Sequence, residues 1–233
     1  MLLYQQIRQY IFALIEQQPA MKKLPSERDL QEHFKSTRIT VREALMHLEI
    51  EGIVYRLNRK GWFLCPPRLQ WNPVQKVNFY QLAKEQSFLA ETKVVHIKAL
   101  AKGNDFSKKF SEENDSDDAP LFEICRVRSL DARPVMVEEI YCKTEKFKAL
   151  ADKKLEGSIT NIFTQDYGVI ISRESSRIFV TGLPTDKAQY LQLNNGASCL
   201  KIIRKRFSSD NTLVDYNIEY WVHGAIEINV ASE

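Results

Sequence analysis

Cysteine is scarce and scattered in this 233-residue chain: four residues, Cys65, Cys125, Cys142 and Cys199, with no C-x-x-C pair. That spacing suggests neither a zinc site nor a disulfide framework. Histidine is as thin, and His33, His47, His96 and His223 stand at no ligand spacing. No metal and no other cofactor is expected, because no nucleophile–base pair or cofactor fingerprint is found either. No apolar run approaches the ~18 residues that a membrane span needs. The amphipathic opening carries Gln5, Gln6, Arg8 and Gln9 and so does not resemble a signal peptide. These absences point to a cytoplasmic protein with reduced thiols, and there is no internal repeat.

Charge of one sign is not in excess overall, at +3, but it is unevenly spread. Residues 1–70 carry 11 Lys and Arg against 7 Asp and Glu, whereas the remainder carries 22 against 23. A basic front on a near-neutral remainder hints at a polyanion partner for the front alone.

The front reads as helix, short helix, turn, helix and hairpin. Tyr4, Ile7, Tyr10, Ile11, Leu14 and Ile15 fall at helical spacing. Ser26 with Asp29 makes an approximate capping box for a second helix ending near Lys35. A third helix starts at Ser36–Thr37, buries Val41, Ala44, Leu45 and Leu48, and stops at Gly52. IVYRLNRKGWFL follows as a two-stranded wing. The expected organisation is a winged helix-turn-helix over 1–65, a stiff proline-bearing linker over 66–77 and a second domain over 78–233. That second domain reads as a mostly antiparallel sheet with helices, which makes the fold class α+β with two domains. Its segment SKKFSEENDSDDA reads as a polar loop.

The third helix opens with Thr37, Arg38, Thr40 and Arg42 in its first turn and a half. A core helix gains nothing from such a cluster. A helix N-terminus presents unpaired N–H groups and partial positive charge, so added guanidinium and hydroxyl groups suit a phosphate backbone. In helix-turn-helix proteins that end lies nearest the bases, where arginine bonds guanine through two donors. Arg28 on the preceding helix and Arg59–Lys60–Gly61 at the wing tip extend the same surface.

LPSER, T-R-x-T-V-R-E-A-L, L-E-x-E-G and the R-K-G wing tip together resemble the DNA-binding domain of the GntR family of bacterial transcription regulators. The resemblance implies that Arg28 contacts backbone or guanine and that Arg38 and Arg42 reach the major groove. It implies that Thr37 and Thr40 support them, and that Ser26 adds a phosphate contact to its capping role. Lys60 and Gly61 are then at the wing tip, with Gly61 close to the minor groove. Trp62 stands where the family commonly has a small residue, and reads as wing packing.

In ICRVRSL, alternation puts Ile124, Arg126 and Arg128 on one strand face. Two arginines about 7 Å apart repel unless acids or a bound anion neutralise them. Glu138 and Glu139 on the next strand are the candidate acids, so an Arg–Glu network and an anion site are both open. R-x-R, D-x-R-P, E-x-x-Y and G-S-I over 126–159 resemble the UTRA effector domain of the HutC branch, which is chorismate-lyase-like in fold. That resemblance implies a small-molecule site in which Arg126 and Arg128 hold an anion and Glu138, Tyr141 and Ser158 line the pocket. Asp215 then closes the other side. STRITVREAL, RKGWF, NPVQKVNFYQLAKEQ, GSIT and DYNIEYWVH further resemble regulators of phosphonate utilisation, with 2-aminoethylphosphonate as effector class. Thr160, where sugar-phosphate-binding relatives carry tyrosine, suits a smaller ligand, and Glu138 or Asp215 could face its ammonium. Val222 and Gly224 stand where such regulators carry arginine and aspartate. LKIIRKRF is basic and reads as surface.

The expected function is a homodimeric regulator that binds double-stranded operator DNA and responds to a small anionic metabolite. The alternatives are a UTRA regulator responding to a sugar phosphate or carboxylate, and a lyase-like enzyme with a DNA-binding appendage. The sign of regulation is not legible.

Overall fold

A computed structural model describes residues 2–57, 59–75, 78–110 and 119–230. Asn58 of the expected wing turn, residues 76–77 of the expected linker and 111–118 of the polar loop therefore lie outside the described residues.

The front folds as α1 (Leu3–Gln17), α2 (Glu27–Phe34), α3 (Arg38–Ile50), β1 (Val54–Leu57) and β2 (Gly61–Leu64). Ser26 and Asp29 complete the capping box reciprocally: Asp29 N donates to Ser26 Oγ at 3.1 Å and Ser26 N donates to Asp29 Oδ2 at 2.9 Å. Thr37 caps α3, its Oγ1 accepting from Thr40 N at 3.3 Å. Gly52 ends α3 with φ +74°, a left-handed conformation that a side chain disfavours. Ile7 and Ile11 of α1, Leu30 of α2, and Val41, Leu45 and Leu48 of α3 share one buried core with Val54 and Trp62 of the wing. Of the aromatic residues of α1, Tyr4 stacks on His47 and Tyr10 on His33, whereas Phe12 is exposed.

The second part begins earlier than expected. Leu69–Trp71, inside the segment read as a linker, is a strand, β3, with Leu69 and Trp71 buried in the second core. It pairs parallel with β10 (Ile226–Ile228), tying the two ends of the domain together. Between them come α4 (Phe79–Glu85), β4 (Ala90–Leu100), β5 (Leu121–Leu130), β6 (Arg133–Lys143), α5 (Ile159–Tyr167), β7 (Arg173–Gly182), α6 (Thr185–Leu191), β8 (Ser198–Phe207) and β9 (Leu213–Val222). Six of the strands form one sheet in the order β4-β5-β6-β9-β8-β7, antiparallel throughout. The fold is α+β, with a winged helix-turn-helix ahead of a mostly antiparallel sheet.

Helix α5 matters most for the site, because its N-terminus borders the cavity described below. Phe163 on its buried face stacks on Phe147 with ring centroids 4.0 Å apart, and both are fully buried with Ile124 and Ile140 of the sheet. Replacing Phe163 by Ala removes that anchor and should cost about 3–5 kcal/mol. Urea unfolding of the purified variant measures this, and an unchanged midpoint would show that α5 is held by something else.

Candidate functional site

Two sites emerge, each organised by a carboxylate that serves more than one arginine. At the front, Glu27 opens α2 and points across to α3. Its Oε2 accepts from Arg42 Nε at 3.0 Å and Arg38 Nε at 3.2 Å, while Oε1 accepts from Trp62 Nε1 at 3.2 Å. Burial pushes the Glu27 carboxyl up, but bonds from Trp62, Arg42 and Arg38 more than offset this and leave it below its ordinary value. The arginines are not covered: the Arg38 and Arg42 side chains remain 64% and 40% exposed, against 15% for Glu27. One nitrogen of each guanidinium is spent on aiming the group. Trp62 is accounted for as wing packing, since it is buried and fixes the wing to α2 through the same carboxylate.

The neighbouring front residues fall where the sequence places them. Thr37 and Thr40 hydroxyls bond each other at 3.1 Å beside the α3 N-terminus. Arg28 bonds Glu32 one turn along α2 at 2.8 Å, and this pair is solvent-exposed and therefore weak. Ser26 is occupied by its capping bonds. Lys60 is exposed at the wing tip next to Gly61, whose φ of +102° suits glycine at that corner.

The second site is a cavity of about 620 Å³ on one face of the large sheet. Its walls include Trp71, Phe79, Arg126, Arg128, Glu138, Ser158, Thr160, Arg204, Arg206, Asn217, Glu219 and Trp221. Register puts Arg126 directly opposite Glu138 across the β5–β6 pair. Glu138 bonds Arg126 through its Nη2 and accepts from Arg128 Nε at 2.8 Å. Arg126 is 1% exposed, and its Nη1 also donates to the carbonyls of Leu155 and Gly157 at 2.7 and 2.8 Å. It thereby holds the loop that leads into α5. Burial lowers its pKa to about 10 against the opposing pull of Glu138. Glu138 itself is pushed up by burial and pulled further down by the charges of Arg126 and Arg128.

Glu138 is the acid that neutralises both arginines, as its place on the next strand led one to expect; it sits between them on their own side of the cavity, so it does not stand opposite them to face a ligand's ammonium. Two further expectations need correction. Tyr141 does not line the cavity. It is three residues from Glu138 on a strand of period two, so it turns to the opposite face and stacks on Phe106 at 3.8 Å. Asp215 is fully buried and does not close the cavity either; it bonds Arg206 and accepts from Asn217 Nδ2 at 2.7 Å, setting both from behind.

The basic strand LKIIRKRF, read as surface, is also different. Alternation turns Arg204 and Arg206 into the cavity, while Lys201 and Lys205 face the other way. Arg204 donates through Nε to Glu219 at 2.9 Å, pairs with Glu174 and lies 4.9 Å from the Trp71 ring centroid. Glu219 also accepts from Trp221 Nε1 at 2.8 Å. Arg206 reaches Thr160 through Nη1, so the Thr160 hydroxyl is already engaged. Ser158 caps α5, accepting from Asn161 N at 3.3 Å. The sequence signal that was available is the repeated R-x-R, at 126–128 and again at 204–206.

The two sites are physically joined. His223, one residue beyond β9, donates from Nε2 to the carbonyls of Glu49 and Ile50 at the end of α3, at 3.1 and 3.3 Å. The acceptors are carbonyls, so that nitrogen carries the proton. The Arg133 guanidinium, first residue of β6, lies 3.9 Å from the Tyr55 ring centroid of the wing. Gly224 lies against Gly52 and Cys65, where an added Cβ would make ordinary contacts at 3.5–3.6 Å.

Comparison with known proteins locates both halves. The UTRA domain profile matches residues 85–227, and that of bacterial regulatory proteins of the gntR family matches 3–64. An uncharacterized HTH-type transcriptional regulator, YihL of Escherichia coli K12, is 26% identical over 220 residues, covering 88% of this chain and 86% of its own length. The HTH-type transcriptional repressor NagR of Bacillus subtilis is 25% identical, covering 86% and 81%. The crystal structure of PhnF from Mycobacterium smegmatis superposes with a TM-score of 0.67 at 19% identity, covering 97% of this chain and 99% of that one.

Replacing Glu138 by Gln leaves two guanidiniums without their carboxylate, one of them fully buried, and should destabilise the second domain by about 3–5 kcal/mol. A carboxylate held below its ordinary pKa stabilises the fold above that value, and the stabilisation is lost as pH falls through the lowered one. Acid titration of stability should therefore be shallower in Glu138→Gln than in the parent. Equal stability of the two at pH 7 would overturn the role assigned to this pair.

Proposed function

The chain belongs to the GntR family of bacterial transcriptional regulators, of the HutC type with a UTRA domain, and from that premise we infer that it is a ligand-responsive repressor acting as a homodimer on a pseudo-palindromic operator. The observation that carries this reading is the Glu27 hub. It sets Arg38 and Arg42 at the N-terminus of α3 with their terminal nitrogens open to solvent, as groove readers need. Arg28, Lys60, Ser26, Thr37, Thr40 and Gly61 complete the DNA surface, the first two as phosphate-facing cations and the others through hydroxyls and backbone. Two copies related by a two-fold axis place two α3 helices in successive major grooves. The site of action is the cytoplasm, where the DNA lies.

The effector is a small anion whose charged end meets Arg128 and the N-terminus of α5 at Ser158, with Arg126 and Asp215 acting from behind. Within that class the charge balance separates two chemistries. Each of the lining carboxylates Glu138, Glu174 and Glu219 is already bonded to an arginine, so the ammonium of an aminophosphonate finds no carboxylate to itself. A hydroxyl can bond both members of such a pair. The cavity volume of about 620 Å³ also exceeds what a two-carbon phosphonate fills. A phosphorylated or carboxylated polyhydroxy compound, such as a sugar phosphate, fits better than 2-aminoethylphosphonate.

Binding to operator DNA should weaken steeply with salt, because each phosphate contact releases counterions. Arg42→Ala should cost roughly 1–3 kcal/mol of operator affinity in gel shifts, and parental affinity in that variant would sink the docking geometry. A thermal-shift screen across sugar phosphates, phosphonates and carboxylates, repeated with DNA present, tests the second site. A ligand specific for the native state must raise the melting temperature. A larger shift with 2-aminoethylphosphonate than with any sugar phosphate would reverse the preference stated here.

A further inference from the structure

The outward face of α3 carries a residue that neither the core nor the arginine hub explains. Ile39, second residue of the helix, is 79% exposed. It follows Arg38 directly and lies one helical turn before Arg42 on the same face, about 5–6 Å between β-carbons. Met46 and Ile50 are exposed on the same helix. At 1.5 Å per residue, however, they lie about 10 and 16 Å further along, beyond the end that meets the bases. Among the described residues of α3, only Ile39 combines a large exposed apolar surface with a place in the opening turns that carry Arg38 and Arg42. Its β-branch restricts χ1, so the methyl groups are presented in a fixed direction.

An apolar side chain in the major groove has one apolar partner among the four bases, the C5 methyl of thymine. Resting on the reading of the front domain as a DNA-binding head, we propose that Ile39 reads a thymine methyl one or two base steps from the guanine taken by Arg42. Arg42 then supplies hydrogen-bond readout and Ile39 supplies readout of shape. The pair distinguishes thymine from cytosine at a position where no hydrogen bond is made.

The test uses the full chain. High-affinity duplexes are selected from a random pool, and each thymine of the selected site is replaced in turn by deoxyuridine, which removes the methyl and nothing else. At one thymine per half-site the parent should lose about fourfold in affinity, the worth of one buried methyl. The variant Ile39→Ser should show no loss there, while its melting temperature stays at the parental value because the side chain is exposed. Insensitivity of the parent to every deoxyuridine replacement overturns the proposal, as does the same loss persisting in Ile39→Ser. Selection that enriches no site at all overturns the DNA-binding reading first and this inference with it.

Discussion

Burying a guanidinium requires a carboxylate within hydrogen-bonding reach, since an unpaired charge costs several kcal/mol once water is removed. Glu138 meets that requirement for Arg126 and Arg128 together, and its own deep burial is tolerable only because both are present. Much of the second domain's local order follows from this triad. Arg126 could not grip the Leu155 and Gly157 carbonyls if its charge were not already balanced. That grip positions the start of α5, where Ser158 and Thr160 meet the cavity. The same device recurs across the cavity with Arg204 held by Glu219 and Glu174, and Arg206 held by Asp215. The result is a cavity rich in hydrogen-bonding groups with nearly balanced charge.

At the front the same chemistry has the opposite purpose. Glu27 holds two arginines and an indole, but at the surface rather than in a cavity. Exposed ion pairs of this kind contribute little to stability. What they do contribute is orientation: the carboxylate takes one edge of each guanidinium and leaves the remaining donors free. On the function proposed above, a phosphate or a guanine meets a group whose rotamer freedom is already reduced, so less entropy is lost on binding. The indole of Trp62 ties the wing to the same anchor, so α3 and the wing keep a fixed spacing.

Most of the front was legible because its signals are local. Capping residues, the apolar stripe of α3 and the turn at Gly61 act within a few positions of where they stand. The second domain was legible where period two was applied strictly, as for Arg126, Arg128 and Glu138. It failed where a motif was carried over without checking strand parity: Tyr141 belongs to the other face by simple alternation from Glu138. Asp215 was a different failure. Its parity is right, but Arg206 from the neighbouring strand covers it, and cross-strand covering is a tertiary fact. Arg204 and Arg206 were missed because a basic strand was taken as solvated surface, although Ile202 beside them is fully buried. The strand at Leu69–Trp71 was hidden by the prolines on either side of it and by a partner, β10, more than 150 residues away.

The strands that build the cavity also end on the front domain. β6 and β9 are neighbours in the sheet; Met136 and Glu138 of one and Glu219 and Trp221 of the other line the cavity. The first residue of β6 is Arg133, over the wing tyrosine, and the residue after β9 is His223, on the last carbonyls of α3. At about 3.3 Å per residue, His223 is only about 7 Å from Trp221 along the chain. A ligand can change DNA affinity only if it binds one arrangement of the joint better than another. A packed sheet transmits such a preference as a rigid shift rather than dissipating it. Two adjacent strands, each lining the cavity within two or three residues of its contact on the front domain, form a direct physical route for it. The contacts at their ends, one stacking and one hydrogen-bonded to the negative pole of α3, are each weak enough to be exchanged at the modest free energies typical of allosteric coupling.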